Sequence, residues 1–246
     1  MKFFIPTYTR VGSTLVCRAL QGLLGLDKPY VQHADRQHKP GVKATEGQLA
    51  SLMQIDYPIV KTHDYAPVDI LRLLEQEDTY IVVCKRDFKD TLLSLILYEK
   101  NVRSDAELPI SPGLETYTTL YPDITDAALV NLLIEGQPEY IRKALRDWKL
   151  FTHTIVHQRV IVVDYEKICS NHDLLLKLLN KHIKADVDHY DAALKSISLS
   201  SMRKAYRPSF VRKGVANDHK NYFDDASINW IGRELNELNQ TRITEL

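Results

Sequence analysis

Short apolar runs alternate with helical stripes along this chain. Residues 3–8, FFIPTY, form a run of the length of one buried strand. From 13 to 24 the apolar residues fall at 15, 16, 19, 20, 23 and 24, one face of a helix, with Gly25 placed as its C-cap. Residues 26–52 are polar and irregular and close in a short helix. YPIVK at 57–61 reads as a second strand, and 67–77 as a helix with proline in its first turn. TYIVVC at 79–84 is a third, β-branched strand, and 87–100 is helical. Residues 101–125, rich in proline, tyrosine and threonine, look like an excursion from the core. A long helix over 138–157 leads to a strand at 159–163, and Asn171 stands where it caps a leucine-rich helix.

Strand followed by helix, repeated, is the grammar of a parallel sheet covered on both faces. The expected fold class is therefore α/β, a central parallel β-sheet flanked by helices. No linker interrupts the pattern, so residues 1–246 are expected to form one domain. Ligands of such sheets gather at the carboxyl ends of the strands. The chemistry of this chain concentrates there: Arg10 to Thr14 after the first strand, Lys61 and His63 after the second, Arg86 after the third, Tyr165 and Glu166 after the fourth.

Composition sharpens this. The chain has 246 residues, 44% of them apolar, and a formal net charge of zero. It supplies a well-buried core but no global field for nucleic acid or an acidic membrane. Any anion site must come from local placement of basic groups. Three cysteines (Cys17, Cys84 and Cys169) lie far apart, as expected of reduced thiols in a cytoplasmic protein. No apolar stretch is long enough to span a bilayer, and FFIP is too short for the apolar core of a signal peptide. No His/Cys/carboxylate set has metal-ligand spacing, so no metal is expected.

The stretch YTRVGSTL at 8–15 runs from a strand into a helix start. Such a loop offers free backbone N–H groups and the positive end of the helix dipole. Gly12 allows close approach to an anion, Val11 precedes it, Ser13 and Thr14 add hydroxyls, and Arg10 adds charge. Gly-Ser-Thr at a helix start also serves simply as a cap. The Gly-Lys-Ser/Thr of a nucleoside triphosphatase, with its phosphate lysine and magnesium hydroxyl, is out of register here.

The remaining motifs decide between these readings. YTRVGSTL resembles the 5′-phosphosulfate loop of sulfotransferases that use 3′-phosphoadenosine 5′-phosphosulfate (PAPS) and release 3′,5′-bisphosphoadenosine (PAP). IVKTHDYAP at 59–67 is similar to the segment with the family's catalytic histidine. IVVCKRDFKDTLLSL at 81–95 is similar to its 3′-phosphate-binding strand, loop and helix, which places Arg86 and Ser94 on the two ligands. VVDYEKI at 162–168 resembles the segment whose tyrosine, here Tyr165, contacts adenine. FVRKGVANDHKNYF at 210–223 resembles the Arg-Lys-Gly loop, which implies Arg212, Lys213 and Gly214 as further donor ligands. ISLSSM at 197–202 is similar to another adenine segment, with Leu199 in place of a phenylalanine. The resemblance thus implies a base held by Leu15, Leu199 and Met202 with Ser198 and Tyr165 nearby. Plain core packing is the alternative for the three apolar residues. The order of motifs resembles the cytosolic branch, in a short, microbial-type member. The family's dimer motif is not seen, and no oligomeric state follows.

The resemblance implies a P-loop-like, three-layer sulfotransferase fold and sulfuryl transfer from PAPS to a hydroxyl of a small molecule, without metal. In-line transfer rests on positioning and electrostatics. His63 is the expected general base, with Lys61 and Arg10 stabilising charge on the transferring group. Asp64 beside the base points to a polar or cationic hydroxylated metabolite, unless it faces solvent. Tyr8, His33, Asp64, Glu99, Tyr117 and Tyr121 are the candidate acceptor-pocket residues. Two alternatives stay open: a P-loop kinase of a small molecule or nucleotide, and a nucleotide-binding module without turnover.

Overall fold

The structure, a computed structural model, describes residues 1–35, 38–102, 113–153, 155–206 and 215–240. Its centre is a parallel sheet built from β1 (Lys2–Pro6), β2 (Val31–His33), β3 (Ile59–Thr62), β4 (Thr79–Lys85) and β5 (Val160–Asp164), in the order β2-β3-β1-β4-β5. Strands expected at 3–8, 57–61, 79–84 and 159–163 all appear. The fifth, β2, lies inside the stretch that reads as polar and irregular; three edge residues are too few to show alternation.

Alternation along the strands sorts the core onto two faces. Phe3 and Ile5 of β1 join Ile59, Val82 and Val163 on one face, under α1 (Ser13–Leu23). Phe4 joins Val60, Ile81 and Val83 on the other. The first face is completed by α7 (Tyr165–Ile168), α8 (His172–Ile183), α9 (Val187–Ser196) and α10 (Leu199–Ala205). Close packing of α1 on α9 needs Gly22, where an added Cβ would overlap the backbone of Ala193. Asn171 caps α8 as expected, its side chain accepting from Leu174 N.

The second face carries α2 (Glu46–Gln54) and the 3₁₀ turns Pro67–Glu75, where a regular helix was expected; Ile70 breaks them with non-helical angles. A satellite core unites α3 (Phe88–Val102), α4 (Leu114–Leu120), α5 (Asp126–Gly136), α6 (Pro138–Thr152) and α11 (Asp225–Gln240) around Leu92, Leu129, Leu133, Ile141 and Ile231. The excursion at 101–125 therefore leads into α4 and α5, and α6 ends five residues before 157, at Thr152. Among the described residues, no helix is long and apolar enough to cross a membrane.

The chain leaves β1 for β2 and β3 on one side, then returns to β4 on the other. That reversal opens a crevice beyond the carboxyl end of β1, between the ends of β3 and β4.

Candidate active site

The loop after β1 fills this crevice. Thr7 N donates to Thr62 O at 2.9 Å, extending the pairing of β1 with β3 by one residue. The loop then turns tightly, with Arg10 at φ 65 and Gly12 at φ 92, both left-handed. Gly12 is the N-cap residue of α1, whose start has no side-chain cap. A Cβ on Gly12 would overlap the Tyr165 ring, so the glycine serves both the turn and a close approach.

Two side chains come from β3. Lys61 lies within the strand rather than beyond it and is 6% exposed. Its ammonium stands 5.2 Å from the Tyr30 ring centroid and makes no ion pair among the described residues. Burial lowers its pKa; Cys17 and Cys84 oppose the shift and Arg10 adds to it. His63 follows the strand on the same side. Its Nδ1 is 2.8 Å from Thr7 O. A carbonyl only accepts, so Nδ1 carries the proton and Nε2 keeps its lone pair. Burial first, then Lys61, lowers the His63 pKa, against the Thr7 hydrogen bond and Asp64.

Across the crevice stand Arg86, the residue after β4, and Ser94 of α3. Arg86 Nη1 donates to Arg10 O at 3.0 Å, and its guanidinium carbon lies 4.5 Å from the Tyr165 ring centroid. Trp148 Nε1 holds the Arg86 carbonyl at 3.0 Å. Arg86 Nε is buried without a hydrogen-bond partner among the described residues. Arg10 Nε donates to Ser94 Oγ at 3.2 Å, and its guanidinium carbon lies 4.5 Å from the Tyr98 ring centroid. Two guanidiniums, a hydroxyl and a helix N-terminus thus converge on one space, a combination suited to a multiply charged anion.

These groups line a cavity of about 360 Å³. Gly12, Ser13, Thr14, Leu15, Lys61, His63, Arg86, Ser94 and Tyr165 face it, as do Leu199 and Met202. Val11 does not; it is 1% exposed in the core. Ser198 lies outside the lining and caps α10 by accepting from Ser201 N at 3.2 Å. Arg212, Lys213 and Gly214 lie outside the described residues. The chain just after them is bracketed to α3: Asp90 accepts from Asn217 N and His219 N at 2.5 and 2.9 Å and faces His219 Nδ1 at 2.8 Å. Asp87, Asp90 and His219 meet closely, but backbone donors already occupy both Asp90 oxygens, making this a structural bracket. It brings Asp218 to the cavity wall.

None of the six residues expected to line an acceptor pocket lines this cavity. Tyr8 packs toward Phe151, with ring centroids 6.2 Å apart. His33 lies against Tyr65 at the end of β2, and Asp64 accepts from Asp35 N at 2.7 Å. Glu99 is on α3, Tyr117 packs on the satellite core and Tyr121 is 53% exposed. The cavity is lined instead by Tyr30 and Gln32 beside Lys61, by Tyr98 beside Arg10, and by Cys169, His172 and Ile197. Gln32 lies on β2 and Tyr30 directly precedes it, so missing that strand meant missing both. Tyr98 was legible in principle: it stands four residues after Ser94 on one helix face.

No family model and no curated protein matches the chain. Solved structures do. Mouse sulfotransferase SULT7A1 complexed with PAP aligns with a TM-score of 0.62 at 18% identity, over 98% of this chain and 85% of that one. The chain has the sulfotransferase fold. Retinol dehydratase in complex with androsterone and inactive cofactor PAP aligns at TM-score 0.57 and 14% identity, over 96% and 80%. The same enzyme with retinol and PAP aligns at 0.52 and 15%, over 95% and 81%. The α/β sulfotransferase architecture expected from the motifs is thereby matched across nearly the whole chain.

Proposed function

We propose that this protein is a sulfotransferase that moves the sulfuryl group of PAPS to a hydroxyl of a small-molecule acceptor. The observation that carries the proposal is the convergence, in one cavity, of a histidine whose Nδ1 is tied to a backbone carbonyl, a buried lysine, and the Arg10–Ser94–Arg86 set.

The residues present fit the nucleotide. The buried Arg86 Nε has no partner among the described residues, and Gly12 is hemmed so closely by Tyr165 that only hydrogen fits. Arg10 and the N–H groups opening α1 would hold the 5′ end. Arg86 and Ser94, with Arg212, Lys213 and Gly214, would hold the 3′-phosphate. Tyr165, Leu15, Leu199 and Met202 would bound the base. Bound there, PAPS supplies an activated sulfuryl group whose leaving group departs as a stable phosphate anion.

His63 Nε2 accepts the acceptor's hydroxyl proton as that oxygen attacks. The Nδ1–H bond to Thr7 O keeps the ring in the tautomer this requires, and the lowered pKa keeps it unprotonated at neutral pH. Lys61 and Arg10 stabilise the negative charge that builds on the transferring oxygens. Tyr30, Gln32 and Tyr98, uncharged aromatic and amide side chains lining the same cavity, would border the acceptor. Asp64 accepts from Asp35 N through one oxygen and does not line the cavity, so the choice between a neutral and a cationic acceptor is left to assay.

Calorimetric titration tests the nucleotide site. PAP binds without metal, more tightly than magnesium-ATP. Arg86→Ala weakens PAP binding by roughly 10- to 100-fold, the worth of a charge-assisted contact of about 1.5–3 kcal/mol, and changes AMP binding by less than about twofold. Tighter binding of magnesium-ATP than of PAP, or equal losses for PAP and AMP, would overturn this assignment. Incubation with PAPS and a metabolite extract, read as a mass gain of one sulfuryl group, tests the reaction.

A further inference from the structure

A buried polar network lies behind His63, and the transfer chemistry does not use it. The three residues after His63 are tied down one by one. Asp64 accepts from Asp35 N at 2.7 Å. Tyr65 is fully buried, and its hydroxyl donates to Asp35 Oδ2 at 2.5 Å. Ala66 N donates to Asp69 Oδ2 at 2.7 Å. His38 closes the circuit. Its ring stacks on Tyr65 with centroids 4.0 Å apart, and its Nε2 faces Asp69 Oδ2 at 3.3 Å. The His38 and Asp69 side chains are 3% and 1% exposed.

Burying a carboxylate costs stability even when it is hydrogen-bonded, and apolar side chains hold an ordinary loop more cheaply. What this arrangement supplies is direction. Each bond has a fixed length and angle, and together they leave the exit from β3 one path. That exit carries His63, whose ring is anchored separately through Nδ1 to Thr7 O. We propose that Asp35, His38, Tyr65 and Asp69 form a clamp that sets the position of His63. They are positioning residues for the sulfuryl transfer proposed above, and the inference rests on that reading. A general base displaced by about 1 Å loses on the order of a hundredfold in rate.

The test uses Tyr65→Phe, which keeps the ring stack and removes one oxygen, and His38→Gln as a second variant. Imidazole nitrogen NMR reports the His63 tautomer, its signal assigned by comparison with His63→Gln. Calorimetry reports PAP affinity, and PAP release from PAPS in the presence of a metabolite extract reports turnover. In the wild type His63 is a single Nδ1–H tautomer. In Tyr65→Phe it becomes a mixture, turnover falls on the order of tenfold, and PAP affinity stays within about twofold. A wild-type tautomer signal with wild-type turnover in both variants would overturn the clamp. So would outright unfolding of both, which would make the network purely structural. If the wild-type protein itself neither binds PAP nor consumes PAPS, the functional reading fails, while the His63 signal still decides whether the clamp positions that ring.

Discussion

Lys61→Met should raise stability while removing activity. Lys61 is 6% exposed, and its ammonium has no carboxylate partner among the described residues. An ion held this way pays an effective desolvation penalty of several kcal/mol. Its compensation is the Tyr30 ring at 5.2 Å, a contact worth about 1 kcal/mol. Methionine keeps the apolar stem and discards both the penalty and the ring contact. The net gain is about 1–2 kcal/mol, which for a chain of this size raises Tm by roughly 2–8 °C. The sign also depends on pH. The folded-state pKa is lowered from 10.5 by burial, so between the two values the unfolded chain binds more protons. Wild-type stability therefore rises with pH in that window, and the variant's advantage shrinks between pH 7 and pH 10. Thermal unfolding followed by circular dichroism at several pH values measures this, alongside PAP release from PAPS, which falls by about a hundredfold or more. A variant less stable than wild type, or an advantage that ignores pH, would refute the argument that this cation is held at a cost for function.

Other expectations are as direct. His63→Gln lowers turnover by roughly 10²–10⁴-fold and leaves PAP affinity within about twofold by calorimetry. In the wild type, the acid limb of the turnover profile falls below the ordinary histidine value of 6.5, because burial and Lys61 lower the His63 pKa. The same shift makes the His63 contribution to folding fully present above 6.5 and lost as pH falls from there through the lower folded-state pKa, which urea titrations at pH 7 and pH 5 detect. Two helical glycines should respond with opposite signs. Gly22→Ala destabilises by about 1–3 kcal/mol because its methyl meets the Ala193 backbone. Gly47→Ala in α2 meets nothing within 4 Å and stabilises by about 0.5–1 kcal/mol. Denaturation midpoints at unchanged m-value read both.

Where the side-chain period was long enough, the elements were readable. The α1 stripe from Leu15 to Leu23, the β4 run and the Asn171 cap all stand where the pattern puts them. The three-residue β2 shows no period, and the 3₁₀ character of Pro67–Glu75 depends on packing beneath the sheet. The site divides the same way. Arg10, Lys61, His63, Arg86 and Ser94 sit at strand ends or one helix face, so local pattern and topology bring them together. The acceptor side does not follow from local pattern. Asp64 looks like a pocket carboxylate in sequence, yet it accepts from the backbone of Asp35, which lies 29 residues away.

By itself, the sequence determined a parallel α/β sheet and the end of it at which charge and imidazole collect, because both follow from short-range periodicity and the direction of the strands. Only the tertiary structure decided which ring nitrogen of His63 is held by a backbone carbonyl, which guanidinium nitrogen lacks a partner among the described residues and which tyrosines wall the cavity. Those properties depend on contacts between residues far apart in the chain, such as Thr7 with His63 and Arg10 with Ser94, whose geometry no local pattern encodes.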